Sequence, residues 1–294
     1  MIVITAPTST IGRRLVTDLL GRGTSLRLVV RDASRLAPEV RERVEVVEGS
    51  HRDAAVIDPA CEGADAVFWL APGDGSEPSP EAAYVDFTRP ACEAFVRHGV
   101  RRVVGISALG RGTAPAARAG LVTASLAMDD LITASGVAYR AVVCPSFMHN
   151  LLHQAGTIRE KGMFFLMARA DLKVPTVAPQ DIAATAARLL LDASWTGSGE
   201  VPVLGPEDLS PDEMAEVFSE VLGTEVGYRQ ITGAALKDRM TAFGSTEAMA
   251  QAMVDMFEAK NEGMDNAVPR TPEATTPTTF RQWCEEVLKP AVTG

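Results

Sequence analysis

The chain has 294 residues, of which 46% are hydrophobic and 22% are charged, so it can bury a sizeable core and has an ordinary globular composition. Its formal net charge of −10 disfavours binding to nucleic acid or to an anionic membrane surface, because both require a basic face. No apolar run is long enough to span a membrane and no signal peptide precedes the first strand, so we expect a cytoplasmic location. The four cysteines lie far apart without a CxxC pair, which favours free thiols over disulfides or a zinc site.

The first fifteen residues, MIVITAPTSTIGRRL, predict a strand, a tight turn and the start of a helix. A dinucleotide-binding unit carries three glycines in this turn, which let the backbone approach the pyrophosphate. Here Ala6 and Ser9 occupy the first two glycine positions, and Gly12 alone keeps the position needed for close packing of the helix against the strand. The methyl group of Ala6 is tolerable if that residue keeps a negative φ, and Pro7 supplies no backbone amide.

Strands and helices then alternate as far as residue 143. We predict strands at 25–30, 44–48, 64–70, 101–106 and 138–143, and helices at 82–98 and 121–135. Parallel strands need crossover connections, which helices usually supply, so this alternation predicts an α/β fold with a doubly wound parallel Rossmann sheet. The ligand crevice is expected at the carboxyl ends of the strands.

Beyond residue 150 the alternation weakens. Residues 151–175 resemble a mobile segment over the crevice, residues 180–191 a helix, and residues 200–204 a short strand. Ser210, Pro211 and Glu213 form a capping-box pattern for a helix that ends at Gly223. Further helices are predicted at 246–261 and 281–288. We therefore predict a dinucleotide-binding Rossmann domain at 1–150 and a small, mostly helical substrate lobe at 151–294, packed closely on it.

Several segments together carry a family resemblance: TAPTSTIGRRL at 5–15, VVRD at 29–32, GADAVFWLAP at 63–72, VRRVVGISALG at 100–110 and SGVAYRAVVCPSFMHNLL at 135–152. DIAATAARLLL at 181–191, GPEDLSPDEMAEVFSEVLG at 205–223 and TPTTFRQW at 276–283 extend it. From end to end the chain resembles the NmrA-like family of atypical short-chain dehydrogenase/reductase proteins. The resemblance implies a Rossmann domain that binds NADP or NAD and a C-terminal lobe that closes the substrate pocket.

The resemblance also implies the cofactor-binding residues. Arg31, after the second strand, suits the 2′-phosphate of NADP, whereas the adjacent Asp32 leaves NAD possible. Ser107 corresponds to the family's contact with the nicotinamide ribose, and Phe147 would lie beside the nicotinamide or the substrate. The full expected set is Ala6, Thr8, Ser9, Thr10, Ile11, Gly12, Arg31, Leu70, Ala71, Pro72, Ser107, Ala108, Cys144, Pro145 and Phe147.

The proton-transfer residues usual in short-chain dehydrogenases are missing. A tyrosine followed four residues later by a lysine lowers the phenol pKa, but Tyr84, Tyr139 and Tyr228 have no such lysine. Ser107 and His149 are the candidates for catalytic roles. His149 and His153, four residues apart, could instead share a metal ion, but no acidic ligand accompanies them, and we predict no metal site.

Apolar, flexible side chains predict a hydrophobic aromatic substrate. Met249, Met253, Met256 and Phe257 share one helix face, and MFFLM at 163–167 adds to them, although plain core packing explains such a face as well. We predict an NAD(P)-dependent oxidoreductase that acts on a quinone-like or polycyclic aromatic substrate, by direct hydride transfer or in a tailoring oxygenation or isomerisation of a secondary metabolite. The alternative is a non-catalytic NAD(P) redox sensor with regulatory function. We expect a monomer or homodimer.

Overall fold

The computed structural model describes all residues from Met1 to Gly294. Its strands are β1 (Ile2–Thr5), β2 (Leu26–Val30), β3 (Glu45–Glu48), β4 (Ala66–Trp69), β5 (Arg102–Ala108), β6 (Ala138–Cys144), β7 (Ser146–Phe147), β8 (Met163–Leu166), β9 (Val174–Val177), β10 (Ser198–Pro202), β11 (Asp208–Leu209) and β12 (Gly227–Gln230). Its α-helices are α1 (Thr10–Gly21), α2 (Pro38–Arg41), α3 (Ala54–Cys61), α4 (Phe87–Arg97), α5 (Leu121–Ala134), α6 (Ala155–Lys161), α7 (Pro179–Leu191), α8 (Pro211–Leu222), α9 (Gly233–Ala242), α10 (Glu247–Asn261), α11 (Phe280–Trp283) and α12 (Lys289–Thr293). None of these helices has both the length and the apolarity needed to cross a membrane.

A seven-stranded parallel sheet in the order β10-β6-β5-β4-β1-β2-β3 forms the centre of the molecule. Alternate side chains of its strands face two separate cores, one under α1 and α7 and the other under α3, α4 and α5. Helices therefore cover both faces, and the predicted doubly wound Rossmann sheet is confirmed. The edge strand β10 comes from beyond residue 150 and pairs with β6, so the sheet draws on both sides of the predicted domain division.

The remaining residues build a smaller lobe around its own apolar core. Two short sheets, β11-β9-β7 and β12-β8, accompany α6 and α8 to α12. Phe164, Phe218, Phe280 and Trp283 pack in sequence at the centre, with neighbouring ring centroids 5.0 to 5.8 Å apart. The four rings come from three separate parts of the chain, so their contacts hold the lobe together as one unit.

The prediction of a mobile segment at 151–175 is wrong, because this stretch contains regular structure. A 3₁₀ helix at Met148–Gln154 leads into α6, and β8 pairs in parallel with β12. The side-chain amide of Gln154 donates to the carbonyl of Phe165 and accepts from its backbone N–H, which ties the 3₁₀ helix to β8. The partners of β8 lie 64 residues further along the chain, where local patterns cannot reveal them.

The predicted start of α8 is confirmed in detail. The Ser210 hydroxyl accepts from the backbone N–H of Glu213, and the Glu213 carboxylate accepts from the backbone N–H of Ser210. The helix ends at Gly223, which adopts the left-handed conformation that glycine favours (φ 71°). The methionine-bearing helix is also found, as α10, with Thr246 as its N-cap residue.

Candidate functional site

The turn between β1 and α1 lies at the carboxyl edge of the sheet, and its backbone is strained. Ala6 has a φ of +47°, the only positive φ of a non-glycine residue in the structure, so the condition under which its methyl group would be tolerated without strain is not met. Such a conformation costs a residue with a Cβ atom about 1–2 kcal/mol. Gly12 is needed for packing, because a Cβ atom there would lie 2.2 Å from the Ala6 carbonyl oxygen.

Ser9 closes this turn and begins the helix. Its backbone N–H donates to the Ala6 carbonyl (3.0 Å), and its hydroxyl accepts from the N–H of Gly12 (3.0 Å). The hydroxyl proton of Ser9 stays free to donate to a phosphate group in front of the helix N-terminus, where the helix dipole favours negative charge. The turn therefore fits a pyrophosphate despite the loss of two glycines.

Arg31 and Asp32 follow β2 and differ in their contacts. Arg31 is exposed and makes no ion pair. The Asp32 carboxylate accepts from the backbone N–H of Ser34 (2.9 Å) and from its hydroxyl (2.6 Å), which caps the next turn and holds the pKa of Asp32 below its usual value. Arg31 is thus the residue with a free charge at this edge, whereas Asp32 is engaged locally.

A cleft of about 300 Å³, partly open to solvent, runs along the carboxyl ends of β4, β5 and β6. Most of the predicted residues beyond the turn line it together: Leu70, Ala71, Pro72, Ser107, Ala108, Cys144, Pro145 and Phe147. The Thr5 hydroxyl donates to the carbonyl of Phe68 (2.9 Å) and accepts from the N–H of Leu70 (3.0 Å), which fixes the cleft wall against β1. Thr8, Thr10, Ile11 and Arg31 lie outside this lining, nearer the turn.

His149 does not lie in the cleft lining, so the structure does not bring this predicted catalytic residue to the site. Its Nδ1 accepts a hydrogen bond from the indole N–H of Trp283 (3.0 Å). Partial burial and the nearby charge of Arg14 lower the pKa of His149. Trp283, which binds the His149 ring, belongs to the lobe core and lies 134 positions further along the chain. His153 is exposed.

Ser107 belongs to a buried polar cluster that connects the cleft to the interior. Its hydroxyl donates to Asp129 Oδ2 (2.5 Å) and lies 3.2 Å from the hydroxyl of Ser125, which also lines the cleft. The Tyr139 hydroxyl donates to Asp129 Oδ1 (2.6 Å). Asp129 is only 3% exposed, and burial raises its pKa from 3.8 to about 6 against the opposing effect of these hydrogen bonds.

Sequence reasoning missed Asp129, although a signal was present. Val122, Ser125, Leu126 and Asp129 recur at i, i+3, i+4 and i+7, so they share one face of α5. A carboxylate on a buried face requires hydrogen-bond partners. Those partners come from β5 and β6, and only the fold shows which they are.

The lobe contributes the outer wall of the cleft through α10. Met253 and Met256 line the cleft beside Phe147, whereas Met249 is buried and Phe257 lines an adjoining inner pocket. The residues of MFFLM line neither cavity except for Leu166 in the inner pocket, so the predicted contribution of Met163, Phe164, Phe165 and Met167 to the wall is wrong. Phe164 packs in the lobe core instead.

Lys260 continues the methionine stripe at the end of α10, four residues after Met256. It lines both the cleft and the inner pocket and forms an ion pair with Asp265. The two side chains are 12% and 2% exposed, and Asp265 Oδ1 has no hydrogen-bond partner. This pair is the charged feature at the junction of two otherwise mostly apolar spaces, and the sequence analysis did not single it out.

Residues 8–193 match the model of the family described as NAD(P)H-binding. The chain belongs to the NAD(P)H-binding family. Within it, an NAD(P)H azoreductase from Xenophilus azovorans is 31% identical over 258 residues, which cover 87% of this chain and 86% of the relative. Quinone oxidoreductase 2 from Escherichia coli is 21% identical, with coverage of 90% and 89%.

Solved structures show the same fold. The Escherichia coli quinone oxidoreductase complexed with NADPH superimposes with a TM-score of 0.76 at 20% identity, covering all of this chain and 99% of the other. The triphenylmethane reductase of Citrobacter sp. complexed with NADP(H) gives 0.79 at 16% identity, with coverage of 99% and 100%. The family match confirms the predicted NAD(P)-binding Rossmann family and the predicted nicotinamide dinucleotide cofactor.

Proposed function

We propose that this NAD(P)-dependent oxidoreductase reduces quinone-like or polycyclic aromatic acceptors in the cleft at the carboxyl edge of its sheet. One observation carries the proposal: the cleft combines an apolar wall of Phe147, Met253 and Met256 with the hydroxyls of Ser107 and Ser125. Thioethers adapt to flat rings and contact them favourably, whereas the two hydroxyls supply hydrogen bonds to an acceptor oxygen. The azoreductase and quinone oxidoreductase relatives support this substrate class.

The dinucleotide is proposed to lie along the same edge. The turn from Ala6 to Gly12 would hold the pyrophosphate through Ser9 and the helix N-terminus. Arg31 would pair with a 2′-phosphate, and the local engagement of Asp32 favours NADP over NAD. Leu70 to Pro72, Ser107, Ala108, Cys144, Pro145 and Phe147 would surround the nicotinamide half.

The bound nicotinamide supplies a hydride. The residues of this chain would hold the acceptor ring against Phe147, exclude water with the lobe residues Met253 and Met256, and donate a hydrogen bond from Ser107 to the acceptor oxygen. No tyrosine–lysine pair assists. Tyr84 lines the cleft, but burial raises its pKa, Tyr139 is bound to Asp129, and Tyr228 donates to carbonyls of the lobe. A readily reduced conjugated acceptor suits such a site better than an isolated ketone.

The division into a cofactor domain at 1–150 and a substrate lobe at 151–294 is part of the same proposal. Residues of α10 complete the cleft, which is the role expected of a lobe that closes over the substrate. Gly120, at the start of α5, lies so close to α10 that a Cβ atom there would be 2.1 Å from the Ala252 carbonyl oxygen. This close approach brings Met253 and Met256 to the nicotinamide end of the sheet.

The test is a calorimetric titration with NADPH, NADH, NADP and NAD, followed by anaerobic mixing with a panel of quinones while nicotinamide absorbance is recorded. We expect NADPH to bind more tightly than NADH, and quinones to oxidise bound NADPH. Binding without turnover on any acceptor would favour the sensor alternative, and failure of all four dinucleotides to bind would refute both.

A further inference from the structure

The buried cluster behind Ser107 offers a route for the proton that a quinone reduction consumes. Asp129 contacts the hydroxyl of Ser107 on its cleft side, and Ser107 lines the cleft. Arg111, whose side chain is 39% exposed, lies 3.8 Å from the same carboxylate oxygen, Oδ2. This oxygen is therefore close both to the cleft hydroxyl and to a partly exposed charged side chain.

We propose that Asp129 supplies the proton of the reduction to the acceptor oxygen through the hydroxyl of Ser107. This inference rests on the proposed function, since it assigns the source of a proton that only such a reaction needs. Asp129 acts through another residue and is a positioning and proton-supplying group, whereas Ser107 is the residue that contacts the acceptor.

The step balances in atoms and charge. The acceptor gains a hydride from the reduced nicotinamide, which is oxidised, and one acceptor carbonyl oxygen becomes negatively charged. When Asp129 is protonated, the hydrogen bond between the two groups runs from its carboxyl O–H to the Ser107 oxygen, and the Ser107 hydroxyl is free to donate to the acceptor. The Ser107 O–H bond breaks as an O–H bond forms on the acceptor oxygen, and the Asp129 carboxyl O–H bond breaks as the serine hydroxyl is restored. The carboxylate left at Asp129 regains its proton from solvent on the Arg111 side, so a quinone, a hydride and a proton give a hydroquinone.

The surroundings of Asp129 decide when it carries a proton. Tyr139 of β6 donates to it, and Arg111 is held away from full contact because it also pairs with Asp130 (2.9 Å) and with Glu200 of β10 (2.6 Å). Cys92 of α4 is near Tyr139, and burial raises the pKa of its thiol to about 12, so it stays protonated. Burial of Asp129 thus outweighs the charge of Arg111, and its pKa of about 6 makes a proton available near neutral pH.

Hydrogen bonds and close packing hold the side chains of this cluster in fixed positions. Tyr139 holds Oδ1 and Ser107 holds Oδ2, so the carboxyl plane cannot rotate freely. Gly105 of β5 faces Tyr139 so closely that a Cβ atom there would lie 2.4 Å from the tyrosine hydroxyl oxygen. The tyrosine is therefore packed in one position, which keeps Asp129 aimed at Ser107.

The experiment compares wild type with Asp129→Asn, Ser107→Ala and the control Asp86→Asn, which changes an exposed carboxylate that pairs with Arg89 and with no member of the Asp129 cluster. Turnover of 2-methyl-1,4-naphthoquinone with NADPH is measured anaerobically from pH 5 to 9. We expect the wild-type kcat to fall above pH 6, and Asp129→Asn to lower kcat about 100-fold at pH 6 and to abolish this pH dependence, with KM changed less than threefold. Ser107→Ala should lose activity similarly, and Asp86→Asn should keep the wild-type profile.

A second measurement does not depend on turnover. The infrared band of a protonated carboxyl group should disappear with a midpoint near pH 6 in wild type and Asp86→Asn, and be missing in Asp129→Asn. If the kcat–pH profile of Asp129→Asn equals that of wild type, the proposal is overturned, even when the carboxyl band of wild type titrates near pH 6. Absence of quinone turnover in wild type would overturn the proposed function and the relay with it, and the infrared titration would show separately whether Asp129 holds a proton.

Discussion

Replacing Asp129 by asparagine should change how the stability of the protein depends on pH. Burial raises the pKa of Asp129 from 3.8 to about 6, so between these values the folded state holds a proton that the unfolded state releases. The folded state then binds more protons, and the free energy of unfolding falls as pH rises through this window. A rise of this size corresponds to about 3 kcal/mol, present in full below pH 3.8 and lost above pH 6.

Asparagine has the shape of aspartate but does not titrate. It can accept from the Tyr139 hydroxyl and donate to the Ser107 oxygen, so the cluster keeps its hydrogen bonds. We therefore expect Asp129→Asn to gain up to about 3 kcal/mol relative to wild type between pH 4 and pH 7. Several exposed carboxylates with lowered pKa values, such as Asp65, titrate in both proteins and cancel in the comparison.

The assay is urea denaturation at half-unit intervals from pH 4 to pH 8, with Asp86→Asn as the control. Asp86 is 59% exposed and its side chain pairs only with Arg89, so its removal should leave the pH dependence parallel to that of wild type. Parallel curves for wild type and Asp129→Asn would refute the reasoning, because they would mean that Asp129 titrates alike in the folded and unfolded states.

Three further substitutions test the turn, the cofactor edge and the contact between lobe and sheet. Arg31→Ala should weaken NADPH binding at least tenfold more than NADH binding, whereas Arg22→Ala, at the far end of α1, should affect neither in calorimetry; equal losses would remove the 2′-phosphate assignment. Ala6→Gly should raise the free energy of unfolding by about 0.5–1 kcal/mol, because relief of the positive φ exceeds the entropy that glycine adds to the unfolded chain; a destabilised variant in urea titration would contradict the strained turn. Gly120→Ala should lower the free energy of unfolding by about 3 kcal/mol or more, because the new methyl group would clash with the Ala252 carbonyl and Gly120 has a φ of +50°. A thermal midpoint equal to that of wild type would show that α10 does not pack as described.

The sequence determined the fold through features that act over short distances. Apolar strands alternating with amphipathic helices require a parallel sheet with crossover helices, and all the strands predicted up to residue 143 are present. The packing role of Gly12 and the capping box at Ser210 depend on neighbours within a few residues, so the residue order alone revealed them. The same holds for the set of cleft residues at strand ends, because parallel strands bring their carboxyl ends to one edge.

Tertiary structure decided what depends on distant partners. Residues Met163 to Leu166 form a strand that pairs with Gly227 to Gln230. The His149 ring lies outside the cleft, where its Nδ1 accepts a hydrogen bond from Trp283. The sequence shows which helix faces carry Asp129 and Lys260. Their partners lie on other elements: Ser107 and Tyr139 bind Asp129, and Asp265 pairs with Lys260. A pKa depends on burial and on the charges within a few ångströms, and neither is set by neighbours in sequence, so the raised pKa of Asp129 follows only from the folded structure.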